Sequence, residues 1–290
     1  MKWAVVVLAL AAPARAEQLA GLAAGPSDDA RLAVAIGPAG EVYDPDGKGA
    51  WTRTQRFALA TPVAAVERGA TGVIASGGGA VYRLAANGWT AARLGQKAGK
   101  SLAGTGTRAL AALGKDLFDL DRAGGEPVKV ATAPAAILAI GGDALITERG
   151  VLRLDHGKLV PIRDAPRLRP ISGRWGLTER GAFDLRANKA IPWPSGVAIA
   201  VASATAGDVL VAVSAAGELV TVTGEKVARA PIPLDHPGVP VGVIGDRAGR
   251  VAIAFQDGRI AVRDRDAWTV ATVEERLPPP HPGAPPATSP

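Results

Sequence analysis

Short apolar runs alternate with glycine-containing turns along most of this chain. Within a run, large apolar residues alternate with small or polar ones, as in Val211–Val213 and Val251–Phe255. That period of two predicts β-strands; helices would need apolar spacing of three and four. Ala-rich runs such as Val197–Ala206 suit a helix by propensity, but alternation is the stronger signal. One phrase recurs: an apolar strand, a tight turn holding glycine, and a second alternating strand. It reads LAVAIGPAGEVYD about Gly40, VIASGGGAVYRL about Gly79, LAALGKDLFDLD about Gly114 and LITERGVLRLD about Gly150. It returns as GLTERGAFDL about Gly181, LVAVSAAGELVTV about Gly217 and VAIAFQDGRIAVRD about Gly258. The seven copies are spaced by 31 to 41 residues, and two of them share Thr-Glu-Arg-Gly, at Thr147–Gly150 and Thr178–Gly181.

Each copy is a hairpin whose glycine supplies the positive φ of its turn. About ten residues beyond the glycine a third strand begins, three times with the same dipeptide: Trp51-Thr52, Trp89-Thr90 and Trp268-Thr269. A further apolar run precedes the next hairpin, at Pro62–Val66, Ala135–Ile140, Val197–Ala202 and Val239–Ile244. The unit is therefore four strands. Four strands at a period near 36 predict an all-β fold, a seven-bladed β-propeller with four antiparallel strands per blade. The short units near Gly114 and Gly181 leave six or eight blades open. A parallel β-helix has a shorter period and no hairpins, and a sandwich would not show seven equivalent hairpins. The expected domain runs over residues 17–277, with Gln18–Ala24 as the innermost strand of the first blade and Trp268–Val273 as the outermost of the last. Every blade is then contiguous in sequence, and the ring closes by face-to-face packing.

The ends differ from the repeat. Lys2, the apolar run Trp3–Ala12 and Ala14-Arg15-Ala16 form the three parts of a secretory signal, so residues 1–16 are expected to be removed after Ala16. The apolar run is shorter than the roughly 20 residues that span a bilayer. The protein is thus expected to be periplasmic or secreted. Residues 278–290 hold seven prolines and read as an extended, disordered tail. The chain has no cysteine, so an exported fold must rest on its core and on protected strand edges. Its basic residues are scattered, which argues against a nucleic-acid partner.

The hairpin phrases, followed by Trp-Thr, resemble bacterial propeller repeats, both exported WD-repeat-like propellers and the propellers of two-component regulators. The resemblance covers residues 18–273 as architecture. The Trp-Asp dipeptide of WD repeats and the Ser-x-Asp-x-Gly-x-x-Trp box of sialidase-like blades are absent. The resemblance implies a binding platform more often than an enzyme, and it transfers no functional residue.

Candidate chemistry is sparse. His156, His236 and His281 lack metal-ligand spacing, and neither a Gly-x-Ser-x-Gly elbow nor a cysteine nucleophile is present. Gly104–Ala109 matches G-x-G-x-x-A, but it falls where the repeat requires strand, turn and strand instead of the strand and helix of a dinucleotide site. Asp44–Gly49 places two carboxylates in a glycine loop; Ca²⁺ needs six to eight oxygens, so a turn is the simpler reading. No metal and no cofactor is expected. What remains is a rim. Lys115, Glu148, Arg149, Glu179, Arg180, Gln256 and Asp257 occupy hairpin turns that a propeller gathers on one face. They are the candidate binding residues for a protein, peptide or envelope component, set against the simpler view that charged tips merely solvate turns. A channel-mouth hydrolase, lactonase or other metal-dependent enzyme, or a ligand-sensing propeller, is the alternative.

Overall fold

The computed structural model describes residues 18–24, 29–47, 50–55, 59, 62–63, 65–69, 72–77, 80–85, 88–94, 101–104, 109–120, 126–142, 144–172, 174–197, 200–206, 208–236 and 238–274. The expected export signal and the proline-rich tail lie outside the described residues, as do Lys48, Gly49, Gly79, Thr105–Arg108 and His281.

Among the described residues there are 28 strands and one short 3-10 turn, Ala30–Leu32. The first meander holds β1 (Gly21–Ala23), β2 (Val34–Ile36), β3 (Val42–Pro45) and β4 (Trp51–Gln55). The second holds β5 (Ala65–Gly69), β6 (Gly72–Gly77), β7 (Ala80–Ala85) and β8 (Gly88–Arg93). The third holds β9 (Ser101–Gly104), β10 (Leu110–Leu113), β11 (Asp116–Asp119) and β12 (Val128–Thr132). The fourth holds β13 (Ile137–Gly141), β14 (Ala144–Thr147), β15 (Gly150–Asp155) and β16 (Lys158–Pro161). The fifth holds β17 (Arg169–Ser172), β18 (Trp175–Thr178), β19 (Gly181–Asp184) and β20 (Lys189–Pro192). The sixth holds β21 (Ala200–Ala206), β22 (Val209–Ser214), β23 (Glu218–Thr223) and β24 (Lys226–Pro231). The last holds β25 (Pro240–Gly245), β26 (Val251–Phe255), β27 (Arg259–Asp264) and β28 (Ala267–Glu274).

Five meanders are separate four-stranded antiparallel sheets; the first and last merge into one eight-stranded sheet through parallel pairing of β4 with β28. The first strands meet in a cycle, β1 to β5, β9, β13, β17, β21, β25 and back to β1. They therefore surround an axis, and the fourth strands lie outermost. Each recurrent glycine phrase forms the second and third strands of a meander, and each Trp-Thr dipeptide lies at the start of a fourth strand.

The core is divided among the seams between successive sheets. Leu110, Ala112 and Leu117 pack on Leu145, Leu152 and Leu154 of the next sheet. Their neighbour Ala111 turns the other way, toward Ile74 and Val81. Similarly, Trp175, Leu177 and Ala182 face Leu210, Ala212 and Val220, while Phe183 faces Ile146 and Val151. Alternate residues of one strand thus serve opposite seams, which is why the middle strands are apolar on both faces. Small residues permit the close approach near the axis. A Cβ on Gly242 would lie 2.7 Å from the Leu22 Cβ, and one on Gly21 would lie 2.7 Å from the Val66 Cβ.

The outer edges are blunted by proline. Pro161, Pro192 and Pro231 end three of the fourth strands, opposite Leu152, Gly181 and Glu218. Proline offers no N–H to an incoming strand. Closure differs from packing alone. Tyr43, Trp51, Ala252, Ala254 and Ile260 do pack across the last seam, and Val273 and Glu274 of β28 also pair with Trp51 and Thr52 of β4.

Candidate functional site

The turns between second and third strands share a face with the linkers between meanders. Strand direction requires this, and backbone hydrogen bonds fasten the linkers to the turns. Ala133 N–H donates to the Lys115 carbonyl (2.8 Å), Glu148 N–H to Ala136 (3.2 Å), Trp193 N–H to Arg180 (2.9 Å) and Gln256 N–H to Val239 (2.8 Å). All seven expected rim residues occupy these turns with exposed side chains: Lys115, Glu148, Arg149, Glu179, Arg180, Gln256 and Asp257.

The two Thr-Glu-Arg-Gly turns are built alike. Thr147 Oγ1 donates to the Gly150 carbonyl (2.8 Å) and accepts the Arg149 N–H (3.3 Å). Thr178 Oγ1 makes the same pair, with the Gly181 carbonyl (3.1 Å) and the Arg180 N–H (3.3 Å). The threonine hydroxyl closes the turn, leaving Glu and Arg at its tip. Their glycines have different causes. Gly150 adopts φ +131° with open space around it. Gly181 has no positive φ; a Cβ there would lie 2.3 Å from the Ile191 carbonyl oxygen of the neighbouring strand. The expectation that positive φ explains every turn glycine therefore fails at Gly181, where close backbone approach decides.

The last of these turns is more ordered. Arg259 Nη2 donates to Asp257 (2.6 Å) and to the His236 carbonyl (3.1 Å), and its guanidinium lies 5.8 Å from the centre of the Phe255 ring. The Arg259 hydrogen bond holds the Asp257 carboxyl below its usual range, against an opposing effect of burial.

Sequence reasoning missed an apolar feature inside this rim. Pairing of the first strand with the second slips by one residue at Leu138, Pro170, Val201 and Val241, in four successive sheets. A bulge bends its strand and re-aims a side chain. Leu138 is 52% exposed, Val201 42% and Val239, just before β25, 62%. These aliphatic side chains stand beside the axis at the end of the ring that carries the second turns. A slip in the pairing register exposes Leu138 and Val201, while Val239 lies just before its strand and its slip at Val241, and no local sequence signal marks these positions.

The opposite face carries the first and third turns, and some of its charges are paired across seams. Arg174 donates to the buried Asp184 (2.6 Å) and, in the next sheet, to Asp208 (2.8 Å), while lying 4.8 Å from the Trp175 ring centre. Lys189 pairs with Glu225 across the same seam. At the last seam, Asp246 accepts N–H groups from Ala30 (3.2 Å), Ala248 (2.9 Å) and Arg250 (3.0 Å), and the Arg250 Nε (2.6 Å). Arg250 reaches Asp29 (3.2 Å), which also binds Arg31 (2.9 Å). Burial works against the Asp246 carboxylate, but the donors from Arg250 and Ala30 outweigh it and lower its pKa. Asp29 is lowered chiefly by its hydrogen bond with Arg31. Of these carboxylates only Asp184 ends a third strand, where the repeat often carries an aspartate; Asp29, Asp208, Glu225 and Asp246 have no such local signal.

The Asp44–Gly49 loop is a turn where it is described. Asp44 accepts Thr54 Oγ1 (2.8 Å) and Asp46 accepts the Ala50 N–H (3.1 Å). Gly104, the first residue of the G-x-G-x-x-A match, and Leu110, just after it, pair with each other in adjacent antiparallel strands. His156 sits in an exposed turn beside Asp155 (2.7 Å), and the His236 carbonyl serves Arg259. Among the described residues, no group of three or more His, Asp or Glu side chains is placed to hold a metal, and no helix is long and apolar enough to cross a membrane.

No family model and no curated protein matches the chain. Solved structures do. PorZ, an essential surface component of the type-IX secretion system of Porphyromonas gingivalis, superimposes with TM-score 0.60 at 14% identity, covering 90% of this chain and 39% of PorZ. The chain thus spans about two fifths of that protein. The WD40 propeller domain of Doa1 gives TM-score 0.59 at 8% identity, covering 86% of this chain and 93% of that domain. A virginiamycin B lyase from Staphylococcus aureus is more distant, with TM-score 0.46 at 11% identity over 90% of this chain and 85% of the lyase. At these identities the likeness speaks for architecture alone. The chain is a β-propeller, built of small antiparallel sheets with almost no helix.

Proposed function

We propose that the chain is an exported, seven-bladed propeller that acts as a binding platform, taking a protein or peptide on the face that carries its second turns. Seven blades are supported by 28 strands in consecutive groups of four and by the cycle of first strands. Export is supported by the signal-like residues 1–16 and accords with an envelope role like that of PorZ. One observation carries the binding assignment. Leu138, Val201 and Val239 stand exposed on or just before first strands, and the charged tips Lys115, Glu148, Arg149, Glu179 and Arg180 lie on the same face in the third to fifth meanders. An apolar centre with a polar rim is the usual anatomy of a protein-binding surface, where a few apolar anchors supply most of the affinity.

The test compares faces. The intact protein, a Leu138→Asp/Val201→Asp variant and an Asp208→Lys/Glu225→Lys variant of the opposite face are each used to capture partners from envelope extract. A partner held by the wild type and the opposite-face variant but lost from the Leu138/Val201 variant supports the reading. Equal capture by all three would sink it.

A further inference from the structure

Six seams of the ring are crossed by the chain itself, as it passes from one meander to the next. The seam between the last and first meanders has no such linker, and its closure rests on non-covalent contacts. Two short stretches of the first meander supply many of them. On the second-turn face, Leu19 N–H donates to the Gln256 carbonyl (3.2 Å). Near the axis, β1 lies against β25, with Leu22 in the space that Gly242 leaves by lacking a Cβ. On the opposite face, Ala30 N–H is held by Asp246, and Asp29 by Arg250 (3.2 Å). Arg31 reaches on toward Asp264 (3.9 Å). The first meander is thus pinned to the last at both ends of the ring and at its middle.

What holds these stretches to their own sheet is slight. β1 pairs with β2 over three residues, Gly21–Ala23, extended by the Ala20 N–H on the Ile36 carbonyl (2.7 Å). Across the seam itself, the outer pairing of β4 with β28 adds only two residue pairs.

We propose that Leu19–Ala23 and Asp29–Leu32 form a clasp, locked by Asp246 and Arg250, and that the ring opens at this seam before any other part unfolds. The physical basis is the missing linker. Elsewhere a parted seam is returned by its own connection, whereas here both partners separate until clasp and lock meet again. Opening the clasp frees the flank of β25 that β1 covers, beside the centre of the ring.

Native-state hydrogen exchange of the intact chain, read by mass spectrometry, tests this. In the wild type, amides of Leu19–Ala23, Ala30–Leu32 and β25 should exchange together, at least tenfold faster than those of β14, β18 and β22. Asp246→Asn keeps the shape of the side chain but loses its charge and one acceptor. It should speed clasp exchange about tenfold further while β14 and β18 stay within twofold. Clasp amides that exchange in step with β14 and β18 in the wild type would overturn the proposal. So would a uniform acceleration across all sheets in Asp246→Asn. The wild-type comparison decides alone if that variant does not fold.

Discussion

The two faces of this ring use the same residue types for different ends. On the face of first and third turns, aspartate and arginine join sheets. Asp246 is buried, its side chain only 3% exposed, and it answers to donors from two meanders. On the face of second turns the comparable carboxylate, Asp257, is 46% exposed and paired with Arg259 two residues away. Charge placed between sheets loses its water and becomes committed to partners, whereas charge at a hairpin tip keeps its water and stays available. The first face commits part of its charge to the seams, and the second keeps its charge at solvated tips.

The sharpest way to break this contrast is at Asp246. Replacing it by alanine leaves Arg250 with Asp29 alone and the Ala30 N–H without its acceptor, and the loss of one partner from a buried pair typically costs about 3–5 kcal/mol. Urea unfolding of Asp246→Ala should show that loss. A change below about 1 kcal/mol, the range of a surface ion pair, would place the seam among ordinary surface contacts. Acid should act through the same group. Asp29 and Asp246 have folded pKa values below the ordinary 3.8, so their stabilisation is complete above that value. It is lost as pH falls further, through the folded values. A melting series should therefore be level near neutrality and descend below about pH 4, and Asp246→Asn should flatten that descent.

Next in size comes Gly181. A methyl group there meets a backbone oxygen that cannot step aside, so Gly181→Ala should lose about 2–3 kcal/mol, near the top of the range for overpacking. Gly150→Ala meets open space and only an unfavourable φ, and should lose about 1 kcal/mol. Equal losses in thermal denaturation would contradict the two separate causes. Arg174→Met should cost about 1–3 kcal/mol, because buried Asp184 then loses a charged donor. Restoring stability by adding Asp184→Asn would support that account, and a double mutant no better than the single one would refute it.

The smallest effects belong to the face of second turns. Arg149→Ala and Arg180→Ala should each shift unfolding by less than about 0.5 kcal/mol, as expected for exposed tips. If either destabilises the fold as Arg174→Met does, the claim that this face holds its charge in reserve is wrong.

Much of the architecture was legible in the order of residues. Period-two runs, the glycine phrases at Gly40, Gly114, Gly150, Gly217 and Gly258 and the Trp-Thr starts placed strands and turns within a few residues. These signals are local: a strand alternates because both its faces meet other sheets, and a turn glycine records its own φ. The rim residues were legible for the same reason, since turn position alone sets their face. The clasp and the apolar mouth were not. Asp246 and Ala30 are 216 residues apart, and nothing near either announces the other. Leu138 and Val201 read as ordinary strand residues until the register slips beneath them.

The amino-acid order alone therefore carried the strand count per unit, the turn chemistry and the all-β repeat, because each depends on contacts within about 36 residues. Tertiary structure decided how the ring shuts, which charges are committed to seams and which apolar side chains reach the axis. Those outcomes depend on burial, and burial is settled only when distant sheets meet. Gly181 shows the division within one residue: the sequence places it in a turn, but only the Ile191 carbonyl above it explains why nothing larger fits.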